Sequence, residues 1–331
     1  MDFDKLFNSI KDLRVAVVGD VMLDTYWWGG VDRISPEAPV PIVALSKKEE
    51  RIGGAGNVAL NVKALGADVH IISVTGKDEE ASRLKALFDN QGIQTQYLLE
   101  SPSRITTNKI RVISRNQQMM RLDAEITQPL SEGDENLLIE RFTQFLKTKS
   151  PQVVVLEDYN KGVLSKRVIS EVISLCKSQD VITTVDPKRS NFFEYRGVDI
   201  FKPNLLEARQ GLNLIADKVT PEFMHHIHQQ LHSKLGHKIS FITLSEKGVF
   251  YQEGAHSRII PTHVRSIADV SGAGDTVIAV ASVLYAATRN VNLMAEVANI
   301  AGGLVCEEVG TVAINRERLL KECKTLLTSH N

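Results

Sequence analysis

Residues 269–276 read Asp269-Val-Ser-Gly-Ala-Gly-Asp-Thr276, and an almost wholly apolar run from Val277 to Ala287 follows directly. Gly272, Ala273 and Gly274 stand where that run would begin a helix. Glycine permits positive φ and close approach to the backbone. The first amides of a helix have no internal partner and lie at the positive end of its dipole. A loop of this kind is an anion site, and a phosphate suits it. Asp275 places a carboxylate beside it. An anion hole next to a general base is what phosphoryl transfer to a hydroxyl requires. The competing reading of the same pattern is a glycine turn in which Asp275 caps the helix.

Working outward, a second glycine cluster lies near the other end, at Arg51-Ile-Gly-Gly-Ala-Gly-Asn-Val58. A helical pattern follows and stops at Leu65-Gly66. The cluster lacks the Lys-Ser/Thr of a Walker A loop and the Gly-x-Gly-x-x-Gly of a dinucleotide site. Close backbone approach at Gly53 and Gly54, with Asn57 as donor and acceptor, suits a polyol. Tight packing of a helix on a sheet explains the glycines equally well.

Together these two segments resemble the signatures of the ribokinase-like sugar kinases, the phosphofructokinase B family. Further segments resemble the bacterial heptose 7-phosphate kinases within it. These are Gly19-Asp-Val-Met-Leu-Asp24, Ile34-Ser-Pro-Glu-Ala-Pro-Val-Pro41, Ser114-Arg-Asn-Gln-Gln118 with Arg121-Leu-Asp123, Asp158-Tyr159 with Lys161-Gly162, and Asp186-Pro-Lys188. The match runs from about Val15 to Thr311. Two departures sit near the expected binding loops: Gly56 stands where an alanine is usual, and Arg189-Ser-Asn191 replaces a glycine-containing loop.

The 331 residues, 43% apolar, suffice for one large domain or a domain with an appendage. A net charge of -1 carries no footprint for nucleic acid or an acidic membrane. Cys176, Cys306 and Cys323 read as reduced thiols of a cytoplasmic protein. The acidic N-terminus has no signal-peptide pattern, and the longest apolar run is too short to span a bilayer. Short β-branched runs at Val15–Val18, Val69–Val74, Val153–Leu156, Val181–Val185 and Ile239–Leu244 alternate with amphipathic patterns at Glu80–Asn90, Glu132–Leu146, Ser165–Ser178 and Pro221–Leu235. This rhythm predicts an α/β fold with a mostly parallel sheet covered by helices on both faces.

Residues 26–45 and 95–122 break the rhythm with strand-like pieces. The resemblance makes the fold a ribokinase-like three-layer sandwich, one kinase domain over 1–331, with these segments as a small β-sheet lid. A lid with one unburied apolar face suits a homodimer, with Trp27, Trp28, Val40, Ile42 and Val43 as the expected interface. Packing onto the main domain is the alternative.

Asp20 and Asp24 follow the first strand, where ligands of open α/β sheets bind. Asp20 reads equally as a turn cap, whereas the resemblance gives Asp24 to the sugar. Asn204 and Glu207 share a helix face. Alone, Asn204 reads as a helix cap; the resemblance implies that the pair organises Mg²⁺, through water, and the phosphates of ATP. Lys188, less so Arg189, is the expected cation on the transferring group. The resemblance places Ser245 and Gly248 of Thr243–Gly248 in a nucleotide loop, where a hairpin turn is also expected; Asn299 lies in a small-residue helix that suits a flank for adenine, and buried helix packing explains it equally well.

Among Arg104, Lys109, Arg111, Arg115 and Arg121, the pair Lys109 and Arg111 share a strand face. With Arg104 they are the expected binders of a phosphate already on the sugar. His225, His226, His228 and His232 read as a solvated helix face, not a metal site.

The resemblance thus implies transfer of the ATP γ-phosphoryl group to the C1 hydroxyl of D-glycero-β-D-manno-heptose 7-phosphate, a step toward ADP-heptose and lipopolysaccharide core. A separate nucleotidyltransferase is expected, because no His-x-Gly-His segment is present. The rivals are a related sugar or nucleoside kinase, a non-catalytic sugar or nucleotide sensor, and a Rossmann oxidoreductase. The basic set argues against the first, Asp275 against the second and the missing fingerprint against the third.

Overall fold

The computed structural model describes residues 1–115, 117–215, 218–263 and 265–327. Asn116, inside the Ser114–Gln118 segment, lies outside the described residues. Among these residues nine strands form one sheet, in the spatial order His256–Ile260, Val249–Glu253, Ile239–Thr243, Ile200–Phe201, Ile182–Asp186, Val153–Glu157, Arg14–Gly19, Asp68–Gly76 and Gln94–Ser101. All neighbours pair in parallel except around Val249–Glu253, which is antiparallel to both of its own.

The central strands are apolar throughout because both faces are covered. Val15, Val17, Val153 and Val155 enter one core with helices Ala55–Leu65, Ala273–Thr288 and Val291–Val305. Ala16, Val18, Val154 and Leu156 alternate into a second core, under helices Glu132–Lys149, Lys166–Ser178 and Pro221–Leu235. The expected alternation of strands and helices is therefore what folds.

Four strands make a separate small sheet, ordered Pro41–Gly54, Val21–Ile34, Asn108–Ser114 and Gln117–Ala124. Its boundaries differ from the expected segments. Residues 95–101 do not join it; Gln94–Ser101 instead extends the large sheet beside Asp68–Gly76. Conversely, the small sheet reaches back to Val21 and on to Gly54, so both glycine-adjacent motifs lie on its paired strands Val21–Ile34 and Pro41–Gly54. Val21–Ile34 pairs in parallel with Asn108–Ser114, a long-range pairing without local signature.

One expectation about the histidines is corrected. His225, His226 and His232 are exposed, but His228 is buried, and its Nδ1 lies 2.9 Å from the Ser240 hydroxyl, which His237 Nε2 also approaches at 2.6 Å. The helix turns this position onto the sheet, so it belongs to a buried histidine pair and not to the solvated face.

Candidate active site

The parallel strands end together at one edge of the sheet, where helix Ala273–Thr288 begins. A cavity of about 900 Å³ opens there, lined among others by Tyr159, Asp186, Lys188, Thr243 and Gly272–Asp275. This is where an open α/β sheet binds ligands, beyond the carboxyl ends of its strands.

Gly272 is the N-cap of that helix, with φ 77° and ψ 1°. A side chain there would be strained, and its Cβ would lie 2.8 Å from Asn57 Nδ2. The first amides of the sixteen-residue helix consequently face the cavity with no side-chain cap. Asp275, in the first turn, is buried. Its two oxygens are held separately: Asn57 Nδ2 donates to Oδ2 at 2.7 Å and the Tyr159 hydroxyl donates to Oδ1 at 2.7 Å. Burial raises the Asp275 carboxyl to about 6, against the lowering effect of those two bonds. The group is a fixed carboxylate, ionised at neutral pH and basic enough to take a proton.

Asn57, expected to face a polyol, is instead fully buried, and its amide is used on Asp275. Asp20 is corrected likewise. Its carboxylate accepts the backbone N–H groups of Tyr159 at 2.8 Å, Lys161 at 3.0 Å and Val163 at 3.0 Å. It organises the loop that carries Tyr159, and it is not open to substrate.

Beneath the cavity lies a charge cluster. One carboxylate oxygen each from Glu157, Asp186 and Asp275 lies within 4.8 Å of the others. Asp186 accepts Lys202 Nζ at 2.8 Å and Lys188 Nζ at 3.2 Å. Lys188 also donates to Glu207 Oε1 at 2.9 Å. Burial opposes the Lys188 charge, but Asp186, Glu207 and Glu157 outweigh it and raise its pKa, so the ammonium stays protonated at the cavity wall. Arg189, the weaker candidate, is exposed in a short 3₁₀ turn and is not among the cavity residues.

Asn204 and Glu207 form a complete capping box on helix Leu205–Leu212: Asn204 Oδ1 accepts Glu207 N and Glu207 Oε2 accepts Asn204 N, both at 2.8 Å. The cap reading is realised and the pair still lines the cavity. Ser245 and Gly248 also line it, in the tight turn between strands Ile239–Thr243 and Val249–Glu253, so hairpin and cavity wall are one feature. Asn299 reaches the cavity as well, with Nδ2 donating to the Pro261 carbonyl at 2.9 Å.

The basic set is engaged by acceptors of the chain itself. Arg111 Nη1 donates to Asp24 Oδ1 at 2.5 Å. Lys109 Nζ donates to Asp123 Oδ2 at 3.0 Å and Glu125 Oε2 at 3.2 Å. Arg104 donates to the carbonyls of Gln128, Ile126 and Lys161. Each cation has acceptors on neighbouring strands or loops, so the three are ion-paired or hydrogen-bonded within the chain. Asp24 is committed to Arg111 in the same way. Gly53 allows this, since a Cβ there would lie 2.3 Å from Asp24 Oδ2; Gly54, with φ 60°, does the same against the Asp20 carbonyl.

Four residues of the site escaped the sequence reading. Tyr159 was quoted only within a motif, and its hydroxyl holds the base. Lys202 closes the apolar strand Ile200–Phe201, a position that signals a buried partner, here Asp186. Glu157 carried the same signal, an acid at the end of Val153–Leu156. Arg51 bridges the two halves: it pairs with Glu49 at 2.6 Å, lies 4.9 Å from the Tyr26 ring centre and donates to the Thr311 carbonyl at 3.3 Å.

The bifunctional protein HldE of Geotalea uraniireducens is 37% identical over 97% of this chain and 65% of its own length. That of Chromohalobacter salexigens is 40% identical over 92% of this chain and 62% of its own. The chain therefore spans a little under two thirds of the length of these relatives. The crystal structure of phosphofructokinase-2 from Escherichia coli in complex with potassium superposes with a TM-score of 0.79, covering 96% of this chain and 99% of that one, at 18% identity, a likeness of fold. Residues 12–318 match the pfkB family carbohydrate kinases, and this chain belongs to that family.

Proposed function

We propose that this chain transfers the γ-phosphoryl group of ATP to the C1 hydroxyl of D-glycero-β-D-manno-heptose 7-phosphate, giving the 1,7-bisphosphate on the way to ADP-heptose and lipopolysaccharide core. The observation that carries the phosphoryl-transfer reading is Asp275, a buried carboxylate with raised pKa at the start of an uncapped helix facing the cavity. The choice of heptose is supported by the segments that resemble heptose kinases and by the relatives at 37% and 40% identity.

In this reading Asp275 takes the proton of the attacking hydroxyl. The Gly272–Gly274 amides, Lys188 and Lys202 face the charge that develops on the phosphoryl group. Tyr159 and Asn57 orient the base. Mg²⁺ fits the donor set at the cavity wall: Glu207 offers a carboxylate edge whose inner bonds are already satisfied, suited to holding the water shell that Mg²⁺ keeps. When bound, the ion screens the nucleotide phosphates.

We place a homodimer contact on the small sheet, where Ile34, Val40, Leu45, Met119, Met120 and Leu122 are exposed. Trp27, Trp28, Ile42 and Val43 are half-buried around them. Sedimentation velocity of a Leu45→Glu/Met120→Glu variant checks this: a monomer is expected, and an unchanged dimer contradicts it.

ATP turnover against a panel of sugars tests the substrate. The heptose 7-phosphate should give the highest kcat/KM, above unphosphorylated heptose, ribose and fructose 6-phosphate. A preference for any of the other three overturns the heptose reading.

A further inference from the structure

Glu157 ends the strand Val153–Glu157 and is fully buried. Neither of its carboxylate oxygens has a hydrogen-bond partner among the described residues. The charged groups facing it are Asp186 at the end of the next strand, Asp275 on the helix above, and Lys188 and Lys202 beyond Asp186. Its carboxyl shares a space of 4.8 Å with those of Asp186 and Asp275.

The donors in this cluster are unevenly distributed. Asp186 receives two ammonium groups. Asp275 receives an amide and a phenol. Glu157 receives none. Carboxylates this close do not all ionise, and a buried carboxylate without donors is the costliest of them to charge. The proton in the cluster therefore belongs on the residue without donors.

We propose that Glu157 works as a neutral carboxylic acid in the active enzyme, a positioning residue that keeps a third negative charge away from the catalytic base. This rests on the reading of Asp275 as base. Burial and then the two carboxylates hold the Glu157 carboxyl well above its ordinary range, in agreement. The consequence for catalysis is large. Within 4.8 Å, with an effective dielectric constant of about 20, one more negative charge would raise the Asp275 pKa by roughly two units or more. From a value of about 6, that shift would leave the base mostly protonated at neutral pH. A neutral Glu157 prevents it.

Infrared spectroscopy of the full chain at pH 7.5 tests the proposal. Asp20 and Asp275, raised to about 6, are ionised at that pH. The expected result is a neutral-acid carbonyl band that shifts when glutamate is ¹³C-labelled, stays when aspartate is labelled, and is missing in Glu157→Gln. No such band in the wild type overturns the proposal, and this needs no variant. Loss of the band on adding Mg²⁺ alone also overturns it, because the carboxylate is then a cation ligand. The kinetic arm is the acid limb of kcat/KM. Glu157→Gln, which keeps a neutral donor, should leave the limb where the wild type has it, whereas a drop of roughly two units means that an ionised Glu157 was removed. The band reports the proton whether or not any sugar is turned over, so a failure of the functional reading is seen separately, in the sugar panel.

Discussion

Tyr159→Phe removes one oxygen and changes one quantity, the basicity of Asp275. The phenol donates to Asp275 Oδ1 at 2.7 Å and favours its ionised form. Hydrogen bonds to charged groups are worth about 1.5–3 kcal/mol, which corresponds to about one to two pKa units. Removing a donor to the charged form raises the pKa, so a value of about 6 should move to about 7.5. At pH 7 the ionised fraction then falls from about nine tenths to about one quarter, a loss of about fourfold in kcat/KM. The loss should vanish above pH 9, where both enzymes are fully ionised. The assay is kcat/KM against pH for wild type and variant, with a thermal melt to confirm folding. An acid limb that stays near pH 6 in a folded variant would refute the assignment of Asp275 as the titrating base, or the role of Tyr159 in setting it.

Glu207→Gln keeps the cap acceptor for Asn204 but removes the charge that holds Lys188, so the Mg²⁺ requirement should rise and turnover weaken while calorimetric sugar affinity stays unchanged; lost sugar affinity with ordinary metal dependence would contradict this. Burial, with the neighbouring histidines, lowers His228 to about 4 and His237 to about 3. Both folded values lie below the unfolded one, so their contribution to stability is complete above about pH 6.5 and is lost as pH falls toward them, about 2 kcal/mol per residue by pH 5. Asp20 and Asp275, raised to about 6, act in the opposite sense. The histidine effect is therefore read as a difference: denaturant unfolding of His237→Gln should lose less stability between pH 7.5 and pH 5 than wild type, and an equal loss would contradict the shift.

The large sheet was legible because its strands carry their own signal. Val15–Val18 and Val153–Leu156 are apolar at every position, and only burial on both faces demands that. Pairing was less legible. Nothing within Thr95–Leu122 marks that its first seven residues extend one sheet while Asn108–Ser114 and the strand from Gln117 join another, since the choice depends on His70–Gly76 and on Leu23–Gly29 far away. In the site, local chemistry was readable and partnership was not. Gly272–Asp275 reads correctly as a helix start with a carboxylate, but the donors that make Asp275 a base come from residues 57 and 159. The partners of the basic set were illegible for the same reason. Lys109 and Arg111 do share a strand, but Asp24, Asp123 and Glu125 oppose them from neighbouring chain, and counting cations without those acceptors overstated the free charge.

The most direct measurement is single-turnover phosphoryl transfer by Asp275→Asn, with ATP and heptose 7-phosphate affinities measured by calorimetry on the same preparation. Asparagine keeps the shape and removes the proton acceptor. The account predicts affinities near wild type and a rate reduced by roughly a hundred- to ten-thousandfold, the range of general acid–base assistance. A folded variant that still transfers the phosphoryl group at a near-wild-type rate would contradict it.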